Sequence, residues 1–213
     1  MNQTQHKILK TSLNLFNKHG IDEVSIRDIA GKLNISVGNL NYYYPSKNDI
    51  IYALCIDLIN KINQLISGVC KTQTGNIFEI AYKQTEAIFA TQLEYRFIFN
   101  KRYAEVITSL PYVQQYYQKI LKIRFDEFAA FQGMLVKEKL ARPDLLEDTF
   151  SITYIMNILV IFWQQELEIY FPEFTDKQKI QHGLSIFLHA YKPYLTKKGL
   201  SQLMPLLKKL EHY

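Results

Sequence analysis

The sequence predicts an all-α protein in two parts. An N-terminal helix-turn-helix unit of three short helices fills residues 1–50, and a helical bundle fills 51–213, with a fourth helix at 46–66 connecting them. Three observations carry this reading. Apolar residues recur at helical spacing along most of the chain. The eight Gly and six Pro of the 213 residues fall between long apolar-periodic stretches, where helices end. Strand-like alternation with hairpin turns is missing, as are repeats and low-complexity tracts.

Between His6 and His19 the apolar positions Ile8, Leu9, Leu13 and Phe16, with small Ser12 beside them, mark one face of an amphipathic helix. Gly20 stops it by offering the left-handed conformation. Ser25 then caps a second helix, with Asp28 in its first turn, and Ile26, Ile29, Ala30 and Leu33 follow at i, i+3, i+4 and i+7. Asn34 tolerates the left-handed turn that breaks it. Ser36 caps a third helix, Val37 to Tyr43, with Leu40 inward. Pro45 ends that helix by excluding Tyr44 from the helical region. Ser46 caps the fourth, with Asp49 completing a capping-box variant.

Three short helices with a tight turn between the second and third form the helix-turn-helix pattern, whose last helix presents side chains to the DNA major groove. The third helix exposes Val37, Asn39, Asn41 and Tyr42, and Gly38 permits close approach. Asn pairs bidentately with adenine N6 and N7, Val offers a methyl surface to thymine, and a Tyr hydroxyl donates to phosphate. The three tyrosines 42–44 divide their roles: Tyr42 faces DNA, and Tyr43 or Tyr44 seals the third helix against the first, with Tyr44 the better core candidate. Lys47 adds charge beside the exposed N–H groups of a helix start, a phosphate site, against the reading of a free surface lysine. Arg27 has the same two readings and leans to phosphate.

The formal net charge is +5, and its placement says more than its size. Residues 1–50 carry six basic against four acidic side chains, residues 51–191 fourteen against fifteen, and residues 192–213 five against one. Charge alone points at the C-terminal tail as a nucleic-acid contact. The competing reading, a solvated helix face with lysines suited to the helix dipole, is preferred. MNQTQHKILK has no apolar signal core, which implies an intracellular, cytoplasmic protein. The most apolar run, Ile152 to Trp163, is too short to span a bilayer. Cys55 and Cys70 read as ordinary buried thiols. His182 and His189, two turns apart with no third ligand, read as ordinary histidines. No Gly-rich phosphate loop, HExxH, GxSxG or metal cluster occurs, so the sequence implies neither an enzyme nor a cofactor.

From Ile8 to about Asp57, ILKTSLNLFNKHGIDEVSIRDIAGKLNISVGNLNYYYPSKNDIIYAL resembles the N-terminal DNA-binding domain of the tetracycline-repressor (TetR) family of bacterial transcriptional regulators. The order of Phe16, Gly20, the Ser25-to-Ala30 step, Ser36, Gly38, Leu40 and Pro45-Ser46-Lys47 carries the likeness over about a quarter of the chain. The resemblance implies a homodimer that binds a palindromic operator in double-stranded DNA, usually represses, and is released by a small molecule in its C-terminal domain. It places DNA contacts at Ser25, Arg27, Val37, Gly38, Asn39, Asn41, Tyr42, Tyr43 and Lys47. Asn41 stands where the family usually has tyrosine, exchanging a phosphate contact for a base contact. Tyr44 replaces a usual phenylalanine, and Asn34 a common glycine.

Beyond the fourth helix, breaks at 67–76, 109–111, 142–144, 171–176 and 192–199 leave helical segments over 77–108 (two helices), 112–140, 145–170, 176–191 and 200–211. The segment 148–167 is apolar around most of its circumference and needs cover on more than one side. Segment 180–191 supplies a second apolar stripe. The resemblance makes these two the dimer interface, through Ile155, Leu159, Phe162, Leu184, Phe187, Leu188 and Tyr191, with a core within one protomer as the competing reading. Twenty-five of the aromatics follow residue 50, and aromatic-rich bundles enclose apolar pockets. Tyr95, Phe99, Arg102, Tyr103, Tyr154 and Trp163 are the pocket candidates, each competing with plain core packing. The alternative to a regulator is a helical interaction or ligand-binding protein of the same fold. Such a protein would have lost the exposed polar residues of the third helix and Lys47, which this chain keeps.

Overall fold

The computed structural model describes residues 2–69, 76–99, 103–108 and 111–210. Within them the chain forms twelve α-helices: α1 (Gln3–His19), α2 (Ile26–Leu33), α3 (Val37–Tyr43), α4 (Lys47–Val69), α5 (Ile77–Glu94), α6 (Arg96–Phe99), α7 (Tyr103–Thr108), α8 (Pro111–Lys137), α9 (Asp144–Glu147), α10 (Thr149–Tyr170), α11 (Asp176–His189) and α12 (Lys197–Lys208). A 3₁₀ turn, Lys192–Tyr194, precedes the last of these. No strand occurs among the described residues beyond an isolated bridge between Ala141 and Leu195.

The N-terminal boundaries follow local chemistry. Gly20 ends α1 at φ 85°, with its N–H on the Phe16 carbonyl. Ser25 and Asp28 form a reciprocal capping box on α2, and Asn34 closes that helix at φ 54°, ψ 41°. Ser36 caps α3 through the Asn39 N–H, and Tyr44 leaves the helix in extended conformation before Pro45. At α4 the Ser46 N–H donates to Asp49 Oδ2 at 2.9 Å and the Asp49 N–H to Ser46 Oγ at 3.3 Å.

Several boundaries move. α1 begins at Gln3, three residues before His6, because Asn2 and Gln5 cap each other's backbone in a box that apolar periodicity does not register. The fourth helix runs to Val69. α8 stops at Lys137 because Lys139 takes a positive φ of 58°, with its N–H on Val136 and that of Leu140 on Leu135, a Schellman stop without glycine. Segment 145–170 divides at Asp148 into α9 and α10. Gly199 is no breaker: it stands in the first turn of α12, where an added Cβ would lie 2.0 Å from the Leu140 carbonyl oxygen. Cys70 lies outside the described residues; Cys55 is buried, and burial pushes its thiol up to about 12.

Two hydrophobic cores result. The first gathers α1–α4 around Ile8, Phe16, Ile29, Leu40, Tyr44 and Leu54, and it continues into Tyr95, Phe97, Ile98 and Phe99 of the α5–α6 elbow. The second joins α5, α8, α10, α11 and α12 around Phe89, Leu135, Met156, Leu184, Phe187 and Leu203. By length and composition α4 passes for a membrane span over Lys47–Ser67. It packs instead between α1 and α5, tying the two parts together.

Candidate functional site

The outward side of α3 is built by the turn before it. Asn34 reverses the chain, Ser36 fixes the start of α3, and fully buried Leu40 anchors its inner face. That leaves Gly38, Asn39 and Asn41 exposed, Val37 at 36% and Tyr42 at 83%. Tyr43 is partly buried and meets the Tyr42 ring edge-on at 5.1 Å, whereas Tyr44 is core. An added Cβ on Gly38 would meet only Ser36 Oγ, at 3.9 Å. The fold therefore does not require glycine there, and the open space lies outside the protein. Arg27 is exposed on α2. Ser25 is committed to its cap: its Oγ donates to Asp28 Oδ2 at 2.6 Å, and the Ser25 hydroxyl and N–H together hold the Asp28 carboxyl below its usual range.

Lys47 does work that its sequence context did not suggest. Its Nζ donates to the carbonyls of Ile21 at 2.9 Å and Val24 at 3.1 Å, so the start of α4 clamps the α1–α2 turn. A second clamp joins the two parts of the molecule. Asn17 on α1 donates from Nδ2 to the Glu94 carbonyl at 2.7 Å and accepts the Phe97 N–H on Oδ1 at 3.1 Å, while Phe16 and Phe97 touch at 5.4 Å between ring centroids. Asn17 was not among the sequence candidates, and a polar residue near a helix end offers no pattern that would single it out.

A cavity of ≈ 200 Å³ lies between α4, α5, α8 and α10. Its wall is mostly aliphatic and aromatic, with Ile62, Ile88, Leu121, Phe128 and Val160 among the lining residues. Arg124 of α8 stands on this wall and donates to Asn63 of α4 and, at 2.6 Å, to Glu127 Oε2. Of the pocket candidates, Phe99 lines the cavity. Tyr95 does not: it is 1% exposed, its hydroxyl donates to Asp57 on α4, and Lys61 sits 4.7 Å above its ring. Burial first, and the Asp57 bond second, push its phenol far up. Tyr154 lies on the outer surface, stacked near Phe150. Trp163 stands behind the wall, stacked on Phe89 at 4.3 Å and donating to Gln92 Oε1 at 2.7 Å. Arg102 and the side chain of Tyr103 lie outside the described residues. Arg124, Asn63 and Gln92 escaped the sequence reading because their partners are remote in sequence.

The interface candidates also divide. Ile155 and Phe162 are exposed, and Leu159 is half-buried beside them. Leu184, Phe187, Leu188 and Tyr191 are buried in the protomer's second core and present no surface to a partner, because the single apolar stripe of α11 packs inward on α5 and α10. The exposed apolar stripe runs instead along α10 at every fourth residue, Phe150, Tyr154, Ile158 and Phe162, with Ile186 of α11 alongside. Behind it, Lys179 and Glu168 bridge the two helices at 2.6 Å. Gly183 lets α11 close on both α10 and α5, since a Cβ there would meet Trp163 at 3.0 Å and Phe89 at 2.9 Å.

The helix-turn-helix with an exposed third helix, mounted on a cavity-bearing helical bundle, defines a DNA-binding regulator by its architecture. Two family models match the chain: residues 8–54 fit "Bacterial regulatory proteins, tetR family", and residues 63–203 fit "Bacterial transcriptional repressor", the TetR model. The protein belongs to the TetR family of transcriptional regulators; such proteins are DNA-binding regulators rather than enzymes. It is 30% identical over 161 residues to YuxN of Bacillus subtilis (strain 168), an uncharacterized HTH-type transcriptional regulator, covering 74% of this chain and 54% of that one. The chain spans about half the length of the curated relatives it matches. Its fold is that of a TetR-family regulator from Marinobacter aquaeolei VT8, with TM-score 0.87, 23% identity and 98% and 99% of the two chains covered. It also matches a protein from Saccharomonospora viridis solved in complex with choline, with TM-score 0.71, 19% identity and coverage of 89% and 97%.

Proposed function

We propose that this regulator acts in the cytoplasm as a homodimer that binds a palindromic DNA operator and represses, and that a small molecule in the α4–α5–α8–α10 cavity releases it. The observation that carries the reading is the outward side of α3: two exposed asparagines, an exposed tyrosine and a glycine that the fold does not need. Asn39 and Asn41 read adenine edges, Gly38 and Val37 meet the groove wall, and Tyr42 and Tyr43 hold phosphate. Arg27 adds a phosphate contact, the Ser25 cap presents the start of α2 to the backbone, and Lys47 adds charge while holding the unit in shape.

The exposed α10 stripe with Ile186 forms the two-fold interface. Four apolar side chains in a row, each more than two-fifths exposed, are what a self-complementary helix face requires. Release follows from the α5–α6 elbow. Gln92 and Phe99 line the cavity, and between them Glu94 and Phe97 hold Asn17 of α1. A ligand that shifts the elbow therefore shifts α1, and with it the distance between the two copies of α3.

Selection of the purified full chain against a randomised duplex pool tests the reading. Enrichment of an inverted repeat is expected, with half-sites spaced by about one helical turn or a multiple of it. Folded protein that enriches no sequence would overturn it.

A further inference from the structure

We infer that the cavity receives a slender carboxylic acid, a single apolar chain whose acid head is held by Arg124; its regulatory meaning rests on the release reading above. The first observation is size. At ≈ 200 Å³ the cavity is smaller than the roughly 300–1,000 Å³ of sites for drug-sized molecules, which favours one chain over fused rings. The second is the wall, where Leu58, Ile59 and Ile62 of α4 face Ile120 and Leu121 of α8 and Val160 of α10. Such a lining desolvates methylene groups and gives them no hydrogen bonds.

The third observation fixes the head group. Arg124 is the one lining residue with a cationic side chain among the described residues, and its side chain is only 15% exposed. Guanidinium offers five N–H donors in a planar fork. Asn63 and Glu127 take one each, which leaves donors for a carboxylate. Glu127, the anionic lining residue, is 39% exposed and already bonded to Arg124, so the more withdrawn member of the pair is the cation. A quaternary ammonium ligand would need the reverse. Gln92 is the poorer anchor for a head group, because it carries no charge and its amide already donates to the Val160 carbonyl at 3.0 Å and accepts from Trp163. Gln84, Thr85 and Asn157 add neutral polar points along the wall without choosing the charge.

The single tryptophan of the chain supplies the readout, since Trp163 bonds to a wall residue. Full-length protein is titrated with decanoate, decanol and decyltrimethylammonium below their micellar concentrations, following Trp emission and melting temperature. Decanoate is expected to bind about tenfold or more tighter than either competitor, the gain of charge-assisted hydrogen bonds. In Arg124→Gln the acid loses that advantage while decanol binds as before, which also shows the cavity intact. Arg124→Lys recovers part of it, and Glu127→Gln tightens the acid by removing its competitor for the guanidinium; these two carry the test should Arg124→Gln fold poorly.

Equal or better binding of decanol or the ammonium overturns the inference, as does an acid preference that survives in Arg124→Gln, or no binding by any of the three. Operator release is scored separately, on the repeat recovered by selection. An acid that binds without releasing DNA defeats the release reading and leaves the ligand class standing. Operator binding with no acid binding defeats the ligand class and leaves the regulator standing.

Discussion

Lys47→Met separates two jobs that one lysine can hold. The substitution keeps the stem and deletes an ammonium that donates to the Ile21 and Val24 carbonyls. A hydrogen bond to a charged group contributes about 1.5–3 kcal/mol. Both carbonyls belong to a partly buried loop that water can reach, so screening brings the pair to about 2 kcal/mol together. For a chain of this size that lowers the melting temperature by roughly 4–8 °C. Scanning calorimetry, or a urea titration at constant m-value, reads it. The same variant is then titrated onto random duplex at several salt concentrations. A clamp leaves the slope of log K against log salt unchanged, whereas a direct phosphate contact lowers it by about one unit per copy. An unchanged melting temperature together with a shallower salt slope would refute the clamp and restore Lys47 to the DNA backbone.

Asn39→Ala and Asn41→Ala should each cost on the order of 1–3 kcal/mol on the operator and relax preference at one base pair per half-site; equal losses on specific and random DNA would remove base reading. Gly38→Ala should leave stability unchanged or raise it by up to about 1 kcal/mol, because the position is open, while operator binding weakens measurably in a fluorescence-anisotropy titration. Gly199→Ala should do the opposite, since its Cβ collides with backbone at Leu140: a clear loss of melting temperature, with intact DNA selectivity in the protein that remains folded. Phe162→Glu should yield folded monomers by sedimentation. Leu184→Ala, fully buried, should instead cost about 2–5 kcal/mol of stability with no direct effect on assembly.

The N-terminal unit was legible because its determinants are local. Ser25 with Asp28, Asn34, Ser36, and Ser46 with Asp49 each act within a few residues, and each does in the structure what its type and position require. The same locality concealed other features. The Asn2–Gln5 box lies before the first apolar residue of its helix, so periodicity placed the start too late. Gly199 looked like punctuation, but its reason is the Leu140 carbonyl, far away in sequence and touching in space. Tyr95 and Arg124 show the same limit at the cavity. One is an aromatic residue at the α5–α6 elbow and the other a cation on α8, and only the partners Asp57 and Asn63 on α4 decide that the first builds the interdomain link and the second the cavity wall.

The interface shows what periodicity measures. An apolar stripe records that a face leaves water, and it does not record what covers that face. α11 carries one stripe, Leu184, Phe187, Leu188, and the protomer core takes it. α10 carries two. Ile152, Met156, Trp163 and Leu167 point into the second core, while Phe150, Tyr154, Ile158 and Phe162 stay exposed. A helix apolar on two sides needs two covers, and one protomer supplies only one. Counting faces rather than apolar residues therefore assigns α11 inward and leaves the outer side of α10 as the face proposed above to meet a second copy. That division is why Phe162→Glu and Leu184→Ala, both changes to apolar residues on adjacent helices, should fail in different ways.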